Sequence, residues 1–140
     1  DRSSLSTVFA HVFAATKCLF LDQVGAAHAH ASQALIGAQK MHFKQWEAQA
    51  RIQLARVADL RNEPDALLML QDATADYLEA GMVLGRPYAQ VWIAEAMIRR
   101  NENAAALIVL DDLHAFTQTS HERFFNRQAD NVRALAKAEI

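Results

Sequence analysis

The chain is poor in the residues that staple or punctuate a fold. Its single cysteine, Cys18, excludes an internal disulfide. Cys18 also lies in an apolar, helix-spaced stretch, where a buried thiol is expected rather than a nucleophile. Only 2 prolines and 4 glycines occur in 140 residues, too little turn material for a many-stranded β fold. No apolar run approaches the ~18 residues of a membrane span. The opening Asp1-Arg2-Ser3-Ser4 has neither the basic nor the apolar part of a secretion signal. A net charge of -2 gives no broad attraction to nucleic acid or to an anionic membrane. These absences point to a reducing, cytoplasmic setting. The missing initiator methionine suggests a piece of a larger protein. By length, residues 1–140 are expected to form a single domain with a core of its own.

What is present is helical grammar. Hydrophobic residues make up 52% of the chain, and much of that is alanine, which lets helix backbones approach closely. Leu5, Val8, Phe9, Val12, Phe13, Thr16, Leu19 and Phe20 recur at helical spacing, predicting a first helix over 4–21. An alanine-rich second helix follows over 24–40. A third covers 44–61, with Trp46, Leu54 and Val57 among its apolar positions. Pro64 is expected at the first position of a fourth helix that reaches residue 80. Gly81 and Gly85 bracket the longest irregular joint, and Pro87 opens a fifth helix ending near 100. Asn103 is expected to cap a sixth helix. Thr119-Ser120-His121-Glu122 has capping-box spacing, predicting a last helix over 120–138 anchored by Phe124, Val132 and Leu135.

The turns repeat. Arg61-Asn62-Glu63 returns as Arg100-Asn101-Glu102, and Ala66-Leu67-Leu68-Met69-Leu70 returns as Ala106-Leu107-Ile108-Val109-Leu110. A period of roughly 40 residues is typical of helical-repeat solenoids. The expected fold is therefore all-α: a right-handed α-solenoid of antiparallel, tetratricopeptide-like helix pairs, about seven helices in all, with stacked pairs sharing one core.

Four further stretches carry a resemblance: Gly85-Arg86-Pro87-Tyr88, Ile93-Ala94-Glu95-Ala96, Ala106 through Asp112, and Glu122-Arg123-Phe124-Phe125. In order and spacing they resemble the end of the tetratricopeptide-like repeat arm of large bacterial signalling proteins. In that family an ATPase module is joined to a transcription-activating DNA-binding domain or to a nucleotide cyclase domain. The resemblance implies a non-catalytic interaction or effector-sensing module, with the ATPase outside this stretch.

Catalytic and metal-binding patterns are weak. His28 and His30 lie two apart on a helix and point to different faces, and the remaining four histidines have no ligand at i+4, so no metal site is expected. Asp111-Asp112 is adjacent rather than spaced along one face, a poor arrangement for paired-carboxylate catalysis and a better one for solvation or an inter-helix bond. Ser3, Ser4 and Ser120 read as helix caps. The glycines are not followed by Lys-Ser or Lys-Thr, so no phosphate loop and no cofactor is expected. Trp46, Tyr88, Trp92, Phe124 and Phe125 are expected to wedge helices together; the alternative is a ligand platform.

One set suggests a binding surface. Registered on Arg61 and Arg100, Lys17, Arg56 and Glu95 fall at equivalent positions of successive first helices, beside Phe13, Ile52 and Val91. With Tyr88, these residues are the candidate partner-binding stripe on a concave face. The expected partner is a protein segment or an adjacent domain of the same chain, or else a small effector, with no direct nucleic-acid or membrane contact. Two alternatives remain at this point. One is a structural module that dimerises through its apolar first helix. The other is an all-α enzyme with a site between helices.

Overall fold

Apolar residues at three- and four-residue intervals, broken about every twenty residues by a short polar turn, fold here into helices. The computed structural model describes residues 2–120 and 126–138. Among them it is all-helical: α1 (Arg2–Phe20), α2 (Val24–Lys40), α3 (Lys44–Leu60), α4 (Ala66–Glu79), α5 (Arg86–Arg99), α6 (Asn103–Ser120) and α7 (Asn126–Ala138). None of these is long and apolar enough to cross a membrane.

Five helix ends are closed by one device. Asp22, His42, Asn62, Gly81 and Asn101 each adopt a positive φ, between 56° and 86°, two residues past the last helical residue. The next backbone N–H then donates back to a carbonyl five residues earlier: Gln23 to Cys18 (2.8 Å), Phe43 to Ala38 (2.9 Å), Glu63 to Ala58 (3.0 Å), Met82 to Tyr77 (3.2 Å) and Glu102 to Met97 (2.8 Å). This is the Schellman closure, which satisfies helix carbonyls that would otherwise lack a partner. Asn, Asp and His tolerate the left-handed region better than other side chains, so a glycine is not required at four of the five ends. The steps between these residues are 20, 20, 19 and 20, from 22, 42, 62, 81 and 101. The sequence repeat of 39 to 40 residues is thus two helix-and-turn steps. At Gln23, Phe43 and Glu102 the same residue also opens the next helix, its carbonyl accepting from Ala27, Glu47 and Ala106.

Some boundaries differ from expectation. Pro64 stands in the turn before α4, whose N-cap is Asp65. Asn103 is already helical, Glu102 holds the cap position, and the buried Asn103 Oδ1 accepts no hydrogen bond. Ser120 is the last residue of α6 rather than the start of the last helix. The rest of the proposed capping box, and Glu122 through Phe125, lie outside the described residues.

Contacts divide the chain into two compact units, Asp1–Val83 and Leu84–Ile140, parted inside the Gly81–Gly85 joint. In the first unit α1 packs on α2, α2 on α3 and α3 on α4, and α1 also touches α3. Its core gathers Val8, Val12, Ala34, Ala38 and Ala50, with Trp46 and Leu35 at the margin. The α1–α2 approach is tight: a Cβ added to Gly37 would stand 2.7 Å from Val8 Cγ2. In the second unit α5 packs on α6 and α7, and α6 on α7. There Val132 and Ala136 of α7, one helical turn apart, are buried. Leu135, expected as an anchor, is 59% exposed.

The even-numbered helices bury one repeated face. Ala27, Ala31, Ala34 and Ala38 of α2 correspond to Ala66, Leu70, Ala73 and Tyr77 of α4, and to Ala106, Leu110, Leu113 and Thr117 of α6. All twelve are buried. Position for position, alanine in α2 becomes a larger side chain at two of the four sites in α4 and at three in α6, so α2 presents the smallest of the three faces.

Candidate interaction surfaces

The cap residues give a register with which to place the candidate stripe. Arg56 stands six residues before Asn62 and Glu95 six before Asn101; six before Asp22 is Thr16, not Lys17. The step from α1 to α3 is 40 residues, not the 39 read from the Arg61/Arg100 match. A slip of one residue turns a helix position through about 100°. Lys17 is exposed on α1. Arg56 is mostly covered, its side chain 11% accessible, with Nη1 3.5 Å from Oδ2 of the buried Asp59. Glu95 is half-buried, and its Oε1 accepts from Gln128 Nε2 at 3.4 Å. Ile52 and Val91 are both 0% exposed and present nothing to a partner. Tyr88 is half-buried against Trp92, ring centroids 4.8 Å apart. Trp46 likewise meets Phe9 edge-on at 4.6 Å, as expected of aromatics that wedge helices together. Phe124 and Phe125 lie outside the described residues.

At the true equivalent of Arg56, the structure builds a polar link instead of a charge. Gln53, fully buried on α3, donates from Nε2 to the Val12 carbonyl (2.9 Å) and to Thr16 Oγ1 (2.8 Å). The Thr16 hydroxyl in turn donates to the Val12 carbonyl at 3.1 Å. These bonds fix α1 on α3.

Two histidines that are far apart in sequence meet. His11 Nδ1 on α1 and His30 Nδ1 on α2 are 3.0 Å apart, so one ring must donate and the other accept. Among the described residues no group of three His, Cys, Asp or Glu side chains could hold a metal ion. Nineteen residues of separation hid this pair from any i, i+4 reading. Asp111 and Asp112 also separate in role. Asp111 pairs with Arg133 of α7, while Asp112 accepts from Arg86 Nη2 (2.9 Å) and Gln90 Nε2 (3.1 Å) of α5.

That second network closes the α5–α6 seam. Arg86 also donates through Nε to Gln90 Oε1 at 3.0 Å, and its guanidinium carbon lies 4.5 Å from the centre of the Phe116 ring. The corresponding α3–α4 seam is open. A cleft of about 380 Å³ is lined by Lys44, Glu47 and Arg51 of α3 and by Asp76 and Glu79 of α4. A second, more apolar cleft of about 370 Å³ shares Arg51 and Asp76 in its lining and adds Leu35 of α2, Leu54 of α3, and Met69 and Asp72 of α4. Here Arg51 pairs with Glu47 of its own helix at 3.2 Å, and Lys44 does the same at 3.4 Å.

Comparison with protein-family models, with curated proteins and with solved structures finds no match for this chain.

Proposed function

We propose that the chain is a non-catalytic helical-repeat module that binds a protein segment, either from a partner or from an adjacent domain of its own chain. The observation that carries this reading is the recurrence of one helix-closing device at near-constant steps, together with a buried face repeated on α2, α4 and α6. In helical-repeat proteins a helix pair cannot bury its apolar face alone, and neighbouring pairs share a core. The finer reading is a right-handed solenoid of antiparallel, tetratricopeptide-like pairs. Such a surface is preformed, so a ligand orders little of the protein on binding.

The resemblance noted in the sequence supports a setting in a cytoplasmic bacterial regulator, the repeat arm coupling a partner or effector to an ATPase domain. Any switching would then come from a change in the contacts between arm and ATPase. A structural module that self-associates is favoured as the second reading by the exposed aromatics of α1, Phe13 (67%) and Phe20 (45%).

A peptide array, read alongside light scattering over a range of protein concentrations, tests the reading. Saturable binding of a peptide class by a monomeric chain is expected. Concentration-dependent self-association with no peptide binding would overturn it in favour of the structural module.

A further inference from the structure

We propose that the cleft along α3, between α2 and α4, docks a cationic amphipathic helix. Its Lys or Arg side chains would face α4 and its aliphatic side chains would face Leu35 and Leu54. The inference rests on the interaction-module reading and gives it a surface and a partner chemistry.

The charge is laid out for such a partner. The fourteen residues of α4 carry Asp72, Asp76 and Glu79 and no basic side chain. These carboxylates fall at i, i+4 and i+7, one stripe about 10 Å long on a helix face. All three are exposed, line the cleft, and have no ion pair among the described residues. Asp76 and Glu79 also stand in the last turn of α4, where the negative end of the helix dipole favours Lys or Arg instead. Two local preferences are thus broken together, unpaired like charges and acids at a helix C-terminus. A cation docked in the cleft would answer both. The α3 side does not supply one, because Lys44 and Arg51 are already turned to Glu47.

The floor explains the aliphatic half. Leu35 and Leu54 are half-buried and Met69 is 41% exposed, so apolar surface remains to be covered beside the carboxylates. A helix is the matching occupant because its own i, i+4, i+7 positions repeat with the same rise as the acidic stripe, in the manner of helix-in-groove recognition. Nucleic acid would be repelled by the same stripe. A bare metal ion finds no converging set of three ligands among the described residues.

The test uses a labelled synthetic peptide with Lys at i, i+4 and i+7 beside Leu at helical spacing. One control scrambles Lys and Leu out of register; another replaces Lys by Glu. The chain should bind the in-register peptide saturably, and more weakly as salt is raised. Affinity should fall roughly tenfold or more in the Asp72→Asn/Asp76→Asn/Glu79→Gln variant, with circular dichroism unchanged and the melting temperature no lower than the parent's, since like charges are removed from α4. Met69→Lys, at an exposed position, should weaken binding as well. Equal binding of the scrambled peptide, or undiminished binding by the triple variant, overturns the proposal. If peptide binding responds to Lys17→Glu and not to the α4 variants, the cleft is wrong and the module reading stands. If no peptide binds and the chain self-associates, both fall; self-association abolished by the triple variant would make the occupant a second copy.

Discussion

At the α5–α6 seam Arg86 reaches across to Asp112, and Gln90 reaches to the same carboxylate. In the first unit the corresponding residues are Glu47 for Arg86, Arg51 for Gln90 and Asp72 for Asp112, by steps of 39, 39 and 40. The carboxylate of α4 is kept, but the guanidinium opposite has moved one turn along α3, where it meets Glu47 instead. Phe116, which receives the Arg86 guanidinium, is replaced by Asp76 at the same step of 40. Two helix pairs with the same buried face therefore end with different surfaces. One seam is closed by its own charges and the other leaves three acids facing solvent. The backbone template tolerates this because cross-seam ion pairs at exposed positions contribute little to stability, about 0–1 kcal/mol. Such positions are free to be given to binding.

The comparison can be broken first at its foundation, the shared buried face. Ala66→Leu and Ala106→Leu insert three carbons at equivalent positions with no exposed surface. Each should lower stability by about 1–3 kcal/mol by denaturant titration. If either variant unfolds at the parent midpoint, the two faces are not equivalent. A smaller effect separates the seams themselves. Asp112→Ala should cost at most about 1 kcal/mol, because its side chain remains 61% exposed to solvent while paired with Arg86. Asp72→Ala, with no cross-helix partner among the described residues, should cost nothing measurable. Equal losses at the two sites would mean that the α3–α4 seam holds a pair after all.

Glu79→Lys sharpens the contrast from the other direction. It places a cation at the C-terminal end of α4 and should stabilise the fold by about 0.3–1 kcal/mol while weakening the cationic peptide. A loss of stability would show that Glu79 has a structural task. The smallest change concerns the turns. His42→Gly relieves a side chain held at φ 56° and should raise stability by about 0.5 kcal/mol after the added freedom of the unfolded chain is counted. Gly81→Ala should move the melting temperature the opposite way, since Gly81 lies at φ 86°.

Helix content, turn positions and the repeat were legible in the residues because each depends on neighbours within about one helical turn. Ala66 and Ala106 could be matched by eye, and the Asn62 and Asn101 turns with them. Asp22 and His42 belong to the same series without sharing its asparagine, since no single residue type marks the left-handed cap. The α1 register therefore differs by one from the Arg61/Arg100 match, with Thr16 rather than Lys17 at the equivalent position. Ile52 and Val91 are buried, not presented on a surface, because of contacts that their spacing does not reveal. α3 has neighbours in α1, α2 and α4, and α5 in α6 and α7, so apolar positions beside a polar one are covered from a second direction.

Helicity, the positions of most turns and the match of Ala66 with Ala106 could be read from the chain alone, because periodicity and local backbone preference are encoded within a few residues. Which polar groups meet emerges only in the folded chain. His11 found His30 across 19 residues, and Gln53 found Val12 across 41. Arg86 found Asp112, while Arg51 stayed with Glu47 of its own helix. Those choices turn on distances of 3 Å between side chains on different helices, which a one-residue difference in step is enough to make or break.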